Sequence, residues 1–270
     1  MSDKAKSKEF FLDEDFLTDT EARSLRIQSE YLGPKLRLAK NKISDTIVFF
    51  GSARILSPEE SQANIDSAPA DISHDEKETL ELDLENSRYY DAARQLADRL
   101  TRWSKKLKNS EHRYIITSGG GPGIMQAANR GASEAKGLSI GMNITLPFEP
   151  SSNPYITNDL DIQFHYFFMR KFWMAYLAKA LVAFPGGFGT LDELMEILTL
   201  IQTKKISKRI PIILFGEDFW NNVVNWDYLV KARTISAEDL KLFKITDSID
   251  IAFDFITTEI VKRDFKGPNF

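Results

Sequence analysis

The sequence predicts an α/β fold, a doubly wound parallel sheet flanked by helices and preceded by a polar helical leader. Three observations carry that prediction. Five short, continuous apolar runs each end in turn residues, which is how strands buried on both faces read. Helix-periodic stretches lie between them, and repeated strand–turn–helix units lay parallel strands side by side. A length of 270 residues, with 43% hydrophobic and 27% charged content, suits one large folded domain with an appendage.

Residues 1–42 form the leader. Its acidic and basic residues are interspersed, and Gly33-Pro34 is expected to interrupt any long helix there. Residues 43–270 form the main domain. Its first strand is Thr46–Phe50, ending in Gly51-Ser52. Further strands are expected at Tyr114–Thr117, Leu138–Ile144, Ala180–Phe184 and Pro211–Phe215. Helices are expected over Ser87–Leu107, Ile124–Ala135, Phe168–Lys179 and Leu191–Thr203. Residues 57–88 break this rhythm and read as an acidic loop or an insertion before the helix at 87, most simply a solvated surface connection.

Charge is distributed unevenly. The whole chain carries 35 Lys+Arg against 39 Asp+Glu, a formal −4. Residues 57–88 hold ten acidic residues and two basic ones, so the remainder is net positive by +4. That positive balance suits a small anionic ligand, while the mildly acidic total of the whole chain argues against wholesale electrostatic binding of nucleic acid. The absence of cysteine excludes disulfides, thiolate metal sites and a cysteine nucleophile. His74, His112 and His165 are too scattered for a zinc motif, and His165 reads as structural, so no metal is expected. The charged start has no apolar core, and the longest apolar stretch, Phe172–Ala178, is too short to span a bilayer. A cytoplasmic protein that does not engage membranes is the expectation.

Three glycine loops fall at predicted strand ends: Gly51-Ser-Ala-Arg54, Gly119-Gly-Gly-Pro-Gly123 and Pro185-Gly-Gly-Phe-Gly-Thr190. Glycines let backbone N–H groups approach an anion closely, and a following helix adds the positive end of its dipole. None matches a Walker A loop or a dinucleotide fingerprint. A phosphate is the natural ligand for at least one of them. Thr190 and Glu193 fit a T-x-x-E capping box at the start of the next helix. Glu193 therefore either closes that helix or faces a ligand, and the local residues allow both.

Pro185-Gly-Gly-Phe-Gly-Thr-Leu-Asp-Glu193 matches PGGxGTxxE, the signature of the LOG (Lonely Guy) family, whose members often carry the label possible lysine decarboxylase. The supporting pieces occur in the family's order: Gly51-Ser-Ala-Arg54, Gly119-Gly-Gly-Pro-Gly-Ile-Met125, Leu146-Pro-Phe-Glu149 and Met169-Arg-Lys171. The resemblance covers roughly residues 44–265 and suggests a longer subgroup. It implies a Rossmann-like fold and a cytokinin riboside 5′-monophosphate phosphoribohydrolase or AMP nucleosidase. Such an enzyme hydrolyses the N-glycosidic bond of a nucleoside 5′-monophosphate, releasing free base and ribose 5-phosphate without a cofactor.

On that resemblance, Arg170 and Glu193 are the catalytic pair. Gly51, Ser52, Gly119, Gly120, Gly121, Glu149, Met169, Lys171, Gly186, Gly187, Phe188, Gly189 and Thr190 are the substrate contacts, with Met125 and Met169 either beside the base or, as buried methionines more often are, part of the core. Glu193 would stabilise positive charge on the sugar or orient water, and Arg170 would favour departure of the base. The alternative for Arg170 and Lys171 is a charged pair on an aromatic helix, held by cation–π contacts. A competing reading is a non-hydrolytic carrier of a phosphorylated ligand, resembling molybdenum-cofactor carrier proteins. A decarboxylase would need a lysine in a pyridoxal phosphate site, and no such signature surrounds Lys171 or Lys179. The helix at 191–203 carries more apolar positions than a one-sided stripe, which predicts burial on more than one side, and the family resemblance implies a homodimer or higher homo-oligomer.

Overall fold

A computed structural model describes residues 8–107, 113–145, 152–263 and 267–270. Two helices, α1 (Glu14–Thr18) and α2 (Arg23–Lys40), precede β1 (Thr46–Phe50). Helices α3 (Pro58–Asp66) and α4 (His74–Lys106) lead to β2 (Ile115–Ser118), α5 (Ile124–Glu134) and β3 (Ser139–Ile144). Then come β4 (Asp161–Phe164), α6 (Phe167–Tyr176), β5 (Ala178–Ala183), α7 (Phe188–Gln202) and β6 (Ile212–Phe215). The remaining elements are α8 (Glu217–Val223), α9 (Trp226–Lys231), β7 (Lys244–Thr246) and α10 (Ile249–Arg263).

All seven strands are parallel, in the order β4-β3-β2-β1-β5-β6-β7. The expected doubly wound sheet is thus present. Alternation along the strands sends Ile47 and Phe49 to a core under α4, α5 and α10. Val48 and Phe50 enter a second core with residues of α2, α6, α7, α8 and α9. The order in which the chain adds strands reverses between β1 and β5, so the helices that follow these two strands pack on opposite faces of the sheet and leave a crevice between their connections.

Three expectations need correction. Residues 57–88 are not a loop, because α3 and the first turns of α4 occupy most of them. Ser57 with Glu60 and Ser73 with Glu76 each form a complete capping box, and these boxes start the two helices within the acidic run. Gly33-Pro34 does not interrupt the leader, since α2 runs straight through it. The proline removes the N–H that would bond the Glu30 carbonyl, and the Trp173 Nε1–H donates to that carbonyl instead at 3.0 Å. Finally, Ala178 and Lys179 belong to β5 rather than to the preceding helix. Lys179 is fully buried there, paired with Asp45 at 3.4 Å, and burial lowers its pKa to about 8.

Candidate active site at the strand crossover

The ends of β1, β2 and β5 surround a cavity of about 320 Å³, where the sheet order reverses. Its lining includes Gly51, Ser52 and Arg54 after β1, Gly119 after β2, and Gly187, Gly189, Thr190 and Glu193 around the start of α7. Arg170 of α6 closes another wall, beside Met125, Ile144 and Phe167. Backbone bonds tie the three loops together. The Ser52 N–H donates to the Pro185 carbonyl at 2.9 Å, and the Ile124 N–H donates to the Ser52 carbonyl at 3.0 Å. Gly123, at φ +66°, permits that second approach, because a β-carbon there would lie 2.3 Å from the Ser52 oxygen.

The start of α7 is shaped for an anion. Its cap is Gly187, which has no side chain, and the first helical bond runs from the Leu191 N–H to the Gly187 carbonyl at 3.1 Å. The N–H groups of Phe188, Gly189 and Thr190 precede that ladder and stand at the positive end of the helix dipole. Thr190 and Glu193 do not form the capping box that their spacing allows, because the helix starts at Phe188 and places both residues inside it. The buried Thr190 hydroxyl lies against the loop instead, 2.1 Å from where a β-carbon on Gly186 would be.

In the β2–α5 loop, a buried amide network controls the carbonyls. Asn153 Nδ2 donates to the oxygens of Gly120 and Gly121 at 2.9 and 3.1 Å, and to Asn129 Oδ1 at 2.9 Å. Ser118 Oγ donates to that same Asn129 oxygen at 2.6 Å. Two carbonyls that would repel an anion are thereby tied back. Gly120 and Gly121 serve the loop's shape, whereas Gly119 lines the cavity. A β-carbon on Gly119 would lie 2.5 Å from an Arg170 Nη and 2.6 Å from the Met125 sulfur.

Glu193 is 7% exposed and has its carboxylate 3.7 Å from Lys171 Nζ. Burial pushes its pKa up to about 7, against the opposing pull of Lys171 and Arg170 and with added repulsion from Glu196 and Asp192. Lys171 itself is held by Glu196 at 2.7 Å and Asp192 at 2.9 Å. Burial alone would lower its pKa, but these carboxylates raise it, so Lys171 stays cationic. Both Arg170 and Lys171 have polar partners. Arg170 Nε donates to the Met142 carbonyl of β3 at 2.8 Å, and Lys171 sits among three carboxylates.

The expected site residues separate into groups. Gly51, Ser52, Gly119, Arg170, Gly187, Gly189, Thr190 and Glu193 meet at the cavity. Gly186 and the 92% exposed Phe188 line an adjoining hollow of about 720 Å³, which shares Ser52, Arg54 and Gly187 with the first. Lys171 stands behind the cavity wall, and Met169 is packed in the hydrophobic core, so neither is among the lining residues. Glu149 lies outside the described residues. Arg54 and Asp192 line the cavity and were absent from the expected set. The Gly-Ser-Ala-Arg motif is the signal that could have found Arg54. Among the described residues no three His, Asp or Glu side chains group as a metal site requires, and no helix is long and apolar enough to cross a membrane.

A family model described as "Possible lysine decarboxylase" matches residues 125–256. The chain is 36% identical over 81 residues to the probable cytokinin riboside 5′-monophosphate phosphoribohydrolase LOG4 of Oryza sativa subsp. japonica, covering 29% of this chain and 34% of that protein. It is 31% identical over 104 residues to cytokinin riboside 5′-monophosphate phosphoribohydrolase LOG7 of Arabidopsis thaliana, covering 34% and 47%. The matches thus span about a third to a half of these relatives' length. Among solved structures, a molybdenum cofactor binding protein from Rippkaea orientalis aligns with TM-score 0.49 at 18% identity, covering 80% of this chain and 98% of that one. A Moco carrier protein from Chlamydomonas reinhardtii aligns with TM-score 0.44 at 18% identity, covering 81% and 99%. The expected resemblance to the LOG family is borne out by the family model and the curated relatives.

Proposed function

We propose that this relative of the LOG proteins is a nucleoside 5′-monophosphate phosphoribohydrolase, with adenosine or cytokinin riboside monophosphate as substrate. One observation carries the reading: an uncapped helix start and a buried carboxylate near neutral pKa share one cavity at the sheet's crossover. The N–H groups at the start of α7 and the Thr190 hydroxyl receive the phosphate, with the Arg54 guanidinium available beside them. The ribose then lies towards Glu193 and the base towards Met125, Phe167 and Arg170.

Hydrolysis breaks the bond between C1′ and the base nitrogen, and its electron pair leaves with the base. Ionised Glu193 stabilises the positive charge that builds on the sugar, in a site where little water screens it. Water adds its oxygen to C1′, one of its protons ends on the departing base, and Arg170 stabilises the negative charge developing there. Lys171 keeps Glu193 in place from behind. The half-buried Leu191, Met195 and Leu198 of α7 support a homodimer in which this helix meets a second copy.

A panel of purine and pyrimidine nucleoside monophosphates, assayed for ribose 5-phosphate, tests the reading. Release from at least one supports it. Tight binding of nucleotide with no release would favour the carrier instead. Gly119→Ala supplies a second test. The added methyl group displaces the ends of Arg170 and Met125, which are flexible, so the fold tolerates it while the guanidinium moves. Activity is expected to fall about tenfold to a hundredfold, with little change in the thermal midpoint. Full activity in that variant would contradict the place given to Arg170.

A further inference from the structure

Helix α6, which carries Arg170 and Lys171, has no side-chain cap of its own. Its start is instead held by a residue far away in sequence. Glu30, in the middle of α2, accepts the His165 N–H at 2.7 Å with one carboxylate oxygen and the Tyr166 N–H at 3.1 Å with the other. A carboxylate at that end also meets the positive pole of the helix. The Glu30 backbone makes a second grip, because its carbonyl, freed by Pro34, accepts the Trp173 Nε1–H. The Tyr31 ring lies 5.7 Å from Phe172 and 5.8 Å from Trp173, which fills the space between the helices. Arg170 and Lys171 stand between the two grips.

We infer that Glu30 is a positioning residue for the site. By fixing both the first turn and the middle of α6, it holds Arg170 on the cavity wall and Lys171 behind Glu193. The leader thereby acquires a task in the reaction, and this inference rests on the hydrolase reading above. The grip acts on geometry alone, since Glu30 does not line the cavity. A displacement of the guanidinium by about an ångström is enough to impair a reaction whose leaving group it must meet.

The test compares the full-length protein with Glu30→Ala and Glu30→Gln. It follows amide hydrogen exchange over residues 165–171, the nitrogen-15 signal of the Arg170 Nε–H, and kcat and KM on adenosine 5′-monophosphate. In Glu30→Ala, exchange at 165–171 should quicken, the Arg170 signal should shift, and kcat should fall about tenfold while KM stays within about twofold. Glu30→Gln keeps an oxygen acceptor and should recover a large part of kcat. Unchanged kcat despite local loosening would overturn the inference. So would an activity loss that only follows loosening of the whole sheet. If the unaltered protein releases no base from any nucleoside monophosphate, the hydrolase reading fails by itself. The Arg170 signal then decides: a shift in Glu30→Ala supports the positioning role, and an unmoved signal refutes it.

Discussion

Glu193→Gln is expected to stop base release and to make the fold more stable above pH 7. The amide matches the carboxylate in size, so packing is kept. Removing a buried group that carries charge or moves protons at the reacting centre costs about 10²–10⁴-fold in kcat. The stability effect has a definite sign. In the unfolded chain a glutamate ionises near pH 4.5, and in the folded protein burial delays this to about pH 7. Between those values the folded state holds the extra proton, so stability falls as pH rises through that window. A shift of that size corresponds to about 3 kcal/mol lost by the time Glu193 is fully ionised. The glutamine variant escapes that loss, and Lys171 keeps Asp192 and Glu196 as partners. Its advantage over the unaltered protein should therefore appear between pH 5 and pH 8 in denaturant titrations. In the unaltered protein, kcat/KM should decline about tenfold per unit below pH 7, as the required carboxylate becomes protonated. Unchanged turnover in the variant would remove Glu193 from the mechanism.

Arg170→Ala is expected to lose about 10²–10³-fold in kcat while remaining folded. The truncation leaves the Met142 carbonyl without a charged donor, which costs about 1–3 kcal/mol. That is too little to unfold a chain whose two cores are filled on both faces of the sheet. Circular dichroism and gel filtration should match the unaltered protein at a temperature where activity has gone. Arg170→Lys keeps the charge but lacks the planar fork, so it should fall short of full activity. A variant that merely unfolds would assign Arg170 to packing.

The sequence made the inner strands legible because they are buried on both faces and read as unbroken apolar runs. The outer strands escaped notice for the same physical reason. β4, Asp-Ile-Gln-Phe, alternates, and β7 is only three residues long, as edge strands with one neighbour can be. The acidic run at 57–88 looked like a solvated loop because its charge hid two S-x-x-E boxes that start helices. Pro34 looked like a breaker because the indole that satisfies the freed carbonyl lies 143 residues away.

At the site, glycine loops and the PGGxGTxxE run were readable because their chemistry is local. The position of Lys171 was not. Its role depends on carboxylates of α7, some twenty residues further on, which turn it away from the cavity and towards Glu193. The capping alternative for Glu193 looked equally good from T-x-x-E spacing, and only the helix start at Phe188 removes it. Met169 was similarly ambiguous, since a methionine beside a catalytic arginine fits a core as well as a pocket, and here it fills the core.

The most direct measurement of the central claim is the fate of adenosine 5′-monophosphate incubated with the protein in water enriched in oxygen-18. The account predicts adenine and ribose 5-phosphate in equal amounts, with heavy oxygen incorporated at C1′ during bond cleavage and the phosphate ester intact. Nucleotide recovered unchanged from a tight complex, or heavy oxygen found on released phosphate, would contradict it.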